Sequence, residues 1–205
     1  MGVMASFRFG TEVTGVDKES IRIARNEAAT LDGHARMSRD IWGACNPKKD
    51  PIYQLVVPAI LRYCEEWWRH AAQGQRNGRM LTTAALTDAL RVAQRAIAQG
   101  RTSTGPAYRM LQMLAWAGWE VASPFVLKDS KGFQWHMGTN APADMKPALE
   151  RDILAQVEHR ATEKIHQIMI GLGYSQEQVT AYKPWWSEAR RFMNSKATPL
   201  QNTCS

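Results

Sequence analysis

Apolar residues recur at helical spacing along most of this 205-residue chain and switch to strict alternation in one short stretch. Behind Asp17, a residue suited to an N-cap, Ile21, Ala24, Ala28 and Leu31 fall on one helical face, with Glu19 in the first turn. The spacing predicts a helix that ends near Gly33. Residues 38–50, with Gly43, Asn46, Pro47 and two lysines, read as a loop leading to Asp50-Pro51, a capping carboxylate before a proline suited to the first helical position. From there Ile52, Leu55, Val56, Ile60, Leu61, Cys64 and Trp67 or Trp68 predict a central core helix. Pro58 removes one backbone donor and should bend it.

After the basic, glycine-bounded break from Gly74 to Gly78, Leu86, Leu90, Ala93 and Ile97 define an amphipathic helix that Gly100 terminates. Gly105-Pro106 opens another, through Met110, Leu111, Leu114 and Ala117, and Gly118 falls where a left-handed cap is expected. The period then changes. Phe125 and Leu127, and then Phe133, Trp135 and Met137, alternate across the turn Asp129-Ser-Lys-Gly132, which predicts the only β-hairpin of the chain. From about Ala141, Met145, Leu149, Ile153, Val157, Ala161, Ile165, Ile168 and Leu172 form the stripe of a long helix ending at Gly171 and Gly173. Pro147 is tolerable there if it stays in the first turn. Ser175 and Gln178 form a capping box for a short helix, Lys183-Pro184 interrupts it, and Trp185 to Met193 restarts one.

The fold class expected is therefore mainly α, an irregular helical domain with one small β-hairpin. Residues 1–173 make the domain, with the hairpin near 119–137, and residues 174–205 add short helices and a frayed polar tail. Composition agrees with a globular chain, since 44% of residues are apolar and 22% charged. No segment approaches the roughly 20 successive apolar residues that span a bilayer. Cys45, Cys64 and Cys204 lack the spacing of a disulfide framework or zinc site. With no secretory leader over residues 1–20, the expected setting is intracellular, nuclear or cytoplasmic. Gly2 with Ser6 fits the short acylation pattern, but nothing nearby supplies a strong second membrane signal.

Signs of catalysis are weak. No Walker, dinucleotide-binding or nucleophile-elbow motif occurs, and no cofactor is expected. Glu163-Lys-Ile-His166 matches a single Glu-x-x-His unit, whereas a di-iron bundle needs two units and two further glutamates, so this reads as a solvated helix face beside His159. His34, His70 and His136 have no nucleophile or base partner at readable spacing.

Charge points elsewhere. The 26 Lys and Arg against 19 Asp and Glu give +7, which favours polyanionic partners. The excess gathers between Arg76 and Arg109, where Arg76, Arg79, Arg91, Arg95, Arg101 and Arg109 meet one acidic residue, Asp88. Arg91 and Arg95 share a face opposite the apolar stripe, placed to grip phosphates, and Thr102, Ser103, Thr104 and the helix start at Gly105 add donors. A solvated, solubilising face explains the same residues. Of the eight tryptophans, Trp67, Trp116, Trp119 and Trp135 accompany apolar periodicity and read as core. Trp185 and Trp186, beside Lys183, Arg190 and Arg191, are candidates for base stacking or for a hydrophobic clasp onto the core.

Phe9-Gly-Thr-Glu-Val-Thr-Gly15, Asp50-Pro51, Trp67-Trp68, Gly105-Pro106, Gly118-Trp119 and Ser123-Pro-Phe125 occur in an order and spacing that resembles the region after the palm in protist, dinoflagellate-type non-LTR retrotransposon reverse transcriptases. The likeness spans most of residues 7–165 and is carried by short scattered matches. It implies a thumb-like or connecting fragment that holds template and primer without catalysis, with RNA or DNA backbone and other parts of a reverse transcriptase as partners. The aromatic-x-Asp-Asp box of such polymerases is absent, as the chain has no Asp-Asp pair, and its acidic residues lie mainly on predicted helix surfaces rather than in a ribonuclease H arrangement. A helical protein-interaction module with an incidental basic face is the alternative.

Overall fold

The computed structural model describes residues 15–73, 83–103 and 105–196. Helix α1, Lys18–Leu31, starts where expected: Asp17 Oδ1 accepts the Ser20 N–H at 2.8 Å. Its buried face is Ile21, Ala24, Arg25 and Ala29, so the helix is turned from the predicted stripe and Leu31 is 76% exposed. The rotation carries the Arg25 guanidinium inward.

The predicted loop over 38–50 contains a helix, α2, Arg39–Cys45. Arg39 organises the entry, donating to the carbonyls of His34, Ala35 and Met37 and to Asn26 Oδ1. Trp42, which no periodicity placed in the core, is wholly buried, with its indole N–H donating to Asp32 at 3.2 Å. Asp50 caps the next element as expected, its Oδ1 accepting the Ile52 N–H at 2.9 Å. That element begins as a widened π-turn, Ile52–Val56, and continues as α3, Val57–Gln73. The widened turn directly precedes Pro58, whose missing N–H cannot close the regular ladder.

Helix α4, Thr83–Ala98, ends at Gly100, which takes a φ of 65° while the Arg101 N–H reaches back to the Ala96 carbonyl at 2.9 Å. Helix α5, Pro106–Ala117, ends at Gly118 with a φ of 69°. Beyond it the chain builds more than a hairpin: a three-stranded antiparallel sheet, β1 Glu120–Ser123, β2 Val126–Lys128 and β3 Gln134–His136, in that spatial order. The predicted hairpin is β2–β3, and β1 joins because the Pro124-Phe125 turn folds Val121 opposite Leu127. Ala122 is bulged out of that pairing.

Helix α6, Pro142–Gly171, is the axis of the core and packs against α2, α3 and α5. Met145, Leu149, Ile153, Val157 and Ala161 are buried as predicted, but the stripe fails beyond them: Ile168 and Leu172 are exposed. Pro147 lies in the second turn and is exposed. Helix α7, Gln176–Ala181, carries the predicted Ser175/Gln178 capping box. Helix α8, Trp186–Lys196, returns onto α2 and α6, where Arg190 donates to Glu158 of α6 at 2.5 Å and to the Ala44 carbonyl of α2 at 3.2 Å.

Two carboxylates lock the sheet to α6. Asp129 accepts the Lys131 and Phe133 N–H groups, each at 2.9 Å, while Asp152 Oδ2 accepts the Trp119 indole at 2.8 Å. Trp119 and Trp135 stack with centroids 6.2 Å apart. Burial raises the Asp152 carboxyl, but hydrogen bonds from Arg151, Trp119 and the Ser130 N–H, with the Arg151 charge, outweigh it and hold it below its ordinary 3.8. A carboxyl depressed on folding contributes stability above its unfolded value that is lost as pH falls through the folded one. Asp152→Asn should therefore lower the urea midpoint at pH 7 and flatten the fall in stability below pH 4, a comparison read from unfolding curves at several pH values.

Candidate nucleic-acid interface

The arginine face predicted on α4 has a clear structural basis. Leu86, Leu90 and Ala93 are buried, which turns Arg91 and Arg95 outward, about 6 Å apart along the axis at 1.5 Å per residue. Ile97, assigned to the same stripe, is 44% exposed at the end of the helix. Arg91 pairs with Asp88 at 2.9 Å, with both side chains more than half exposed. Such a pair contributes about 0–1 kcal/mol and yields readily to a phosphate. Arg95 and Arg101 are exposed, and their side chains make no hydrogen bond or ion pair among the described residues.

Other predicted members separate from this group. Arg76, Arg79 and Thr104 lie outside the described residues. Arg109 is half-buried, 3.7 Å from Asp17 and hydrogen-bonded to Gln112 at 3.3 Å. It also underlies Gly15, where a Cβ would stand 2.6 Å from the Arg109 Cβ. Arg109 thus fastens the start of α1 to α5 rather than extending the exposed face.

The two C-terminal tryptophans divide. Trp186 packs against the core with its indole N–H donating to the Thr162 hydroxyl at 3.3 Å, the geometry of a clasp. Trp185 is 77% exposed and presents its ring to solvent.

Glu163 pairs with His159 at 3.5 Å, and His166 Nε2 lies 3.1 Å from the Tyr182 carbonyl oxygen, so the Glu-x-x-His pair faces separate partners. Among the described residues, no three His, Cys, Asp or Glu side chains are grouped to hold a metal ion. Cys45 and Cys64 are buried free thiols, with burial pushing Cys64 up to about 12. No helix among the described residues is long and apolar enough to cross a membrane.

Sequence reasoning missed a quartet of charges centred on the buried Arg25–Asp50 pair, with Asp40 and Arg160 half-buried beside it. Arg25 donates to Asp50 Oδ2 at 3.0 Å, to Asp40 Oδ1 at 2.9 Å and to the Arg39 carbonyl at 2.7 Å. Arg160 of α6 joins them electrostatically and lies over the Trp116 ring at 4.5 Å. Burial lowers the Arg160 guanidinium, aided by the Arg25 charge and opposed by Asp40, Asp50 and Glu163. Both Asp50 oxygens are engaged, one by Ile52 and one by Arg25, so the quartet ties α1, α2 and the π-turn together. The Asp50-Pro51 helix start was its only readable signal. No protein-family model matches the chain, and no curated protein or solved structure matches it.

Proposed function

We propose that the chain is a non-catalytic nucleic-acid-binding module in which Arg91, Arg95 and Arg101 track an RNA or DNA phosphate backbone. One observation carries the reading: three guanidiniums project from one end of α4 and the following turn, two of them with no described partner and the third held by a single exposed aspartate. Phosphate contacts of this kind position a protein without reading bases. The resemblance to the post-palm region of retrotransposon reverse transcriptases adds to it, placing such a module beside a palm supplied by other parts of the enzyme in a nuclear or cytoplasmic setting. Trp185, exposed two residues after Lys183, is a secondary contact for an unpaired base.

Arg91→Gln with Arg95→Gln tests the reading. Both side chains are exposed, so the unfolding midpoint should stay near that of the parent. Affinity for mixed-sequence oligonucleotides should fall for RNA and DNA alike. The slope of log K against log salt should shrink by about 0.7 to 0.9 for each lost contact, depending on strandedness. A folded double variant that keeps the parental affinity and slope leaves the arginines as a solubilising face. The second reading, a helical protein-interaction module, draws on the exposed apolar side chains Leu172, Trp185 and Phe192 at 72%, 77% and 57%.

A further inference from the structure

We infer that the outer edge of β1, together with the flank of α4, receives an extended, carboxylate-bearing segment of another polypeptide as an added strand. This goes beyond the phosphate-binding reading and shares only Arg91 with it. A groove of about 210 Å³ runs between the two elements, bordered by Thr87, Leu90, Arg91 and Gln94 on the helix, by Val121, Ala122 and Ser123 on the strand and by Pro124 in the turn after it. Side chains alternate across a strand, so a groove lying on one face would meet every second residue. Val121, the bulged Ala122 and Ser123 border this one in succession, so it follows the β1 backbone past the bulge rather than a single row of side chains.

The two edges of the sheet differ in how their backbone is satisfied. On β3, the His136 N–H is taken by Asn140 Oδ1 at 2.7 Å, and the strand is followed by the turn that leads into α6. On β1, the hydrogen bonds among described residues run to β2 alone. Unpaired backbone groups beside a helix-walled groove are the geometry into which an extended peptide adds a strand, with main-chain bonds giving affinity and side-chain pockets giving selectivity. At about 3.3 Å per residue, the β1 edge is about 13 Å long, with its pairing register interrupted at the bulged Ala122.

Charge selects the occupant. Arg91 borders the groove, and its present partner Asp88 is an exposed neighbour one helical turn away that a stronger acceptor replaces at little cost. At the strand's start the charge of Glu120 is offset by Lys128 at 2.6 Å, itself an exposed pair. Leu90 and Val121 supply the apolar floor on which a β-branched side chain of the added strand rests.

Panning a random decapeptide display library against the full chain tests this. The enriched sequences should be rich in Val, Ile and Thr with at least one Asp or Glu. A synthetic copy should shift the backbone amides of residues 120–124 and of 87–94 in an NMR titration. Methylating alternate peptide nitrogens should abolish its binding, and Arg91→Ala should weaken it about tenfold. Failure to enrich any sequence above background overturns the inference, as do shifts that avoid β1 or an N-methylated peptide that binds as well as its parent. A ten-nucleotide oligothymidine that moves the same strand amides and displaces the peptide assigns the groove to nucleic acid and overturns it too. Oligothymidine that binds without touching those amides leaves both proposals standing as separate surfaces.

Discussion

Gly43→Ala is expected to remove most of the stability of the fold. A Cβ at position 43 would lie 1.9 Å from Asp50 Oδ2 and 2.7 Å from Arg25 Nη2, inside any allowed contact. Neither group can step aside freely, because Asp50 is 1% and Arg25 6% exposed. Accommodating the methyl group means parting a buried ion pair, which costs about 3–5 kcal/mol when one partner is left without the other. Displacing packed neighbours adds about 1–3 kcal/mol. The sum approaches the roughly 5–15 kcal/mol that holds a single domain together. Urea unfolding of the variant should begin at or near zero denaturant. Gly171→Ala is the matched control, since nothing lies within 4 Å of its would-be Cβ, and its midpoint should hold or rise slightly. A Gly43→Ala protein with the parental midpoint would mean that α2 shifts as a unit and that the tight approach of Gly43 to Asp50 is not required.

The elements that could be read from sequence are those whose ends are made by local hydrogen bonds. Asp17 caps with Ser20, Gly100 and Gly118 adopt positive φ, and Ser175 exchanges bonds with Gln178, all within a few residues. Helix α2 was illegible because its seven residues carry a glycine near the centre and derive their stability from distant partners, Trp42 in the core and Gly43 beneath Asp50. Periodicity marks an apolar face but not whether anything covers it, which is why Leu31, Ile97 and Leu172 belong to predicted stripes and yet face solvent. Strand β1 has little intrinsic signal and exists through its pairing with β2. The candidate site follows the same rule. Arg91 and Arg95 were placed by the buried leucines opposite them, whereas Asp17 and Thr162, the partners of Arg109 and Trp186, reach them across the fold and leave no local signal.

Arg25→Met should destabilise the protein almost as severely as the glycine substitution, and it should do so in a pH-dependent way. Removing the guanidinium strands Asp50, while Asp40, with a side chain 33% exposed, can turn toward water. The expected loss at pH 7 is about 3–5 kcal/mol, and Arg25→Met with Asp50→Asn should recover a large part of it, because the amide oxygen still caps Ile52 without a buried charge. Burial already holds the Asp50 carboxyl above its ordinary 3.8, with the Arg25 charge the chief influence against it. Without Arg25 the carboxyl rises further. A carboxyl raised on folding binds its proton more tightly in the folded than in the unfolded state, so its stability is greatest below the unfolded value and declines as pH rises through the folded one. The deficit of Arg25→Met against the parent should therefore shrink on going from pH 7 toward pH 4, while the double variant shows no such trend. Asp17, Asp32 and Asp152 act in the opposite sense, since hydrogen bonds and nearby cations outweigh burial and depress them, and they are common to every variant compared. Paired unfolding curves across that range isolate Asp50, and a deficit that stays constant with pH would mean that the stranded carboxylate finds water or Arg160 instead of a proton.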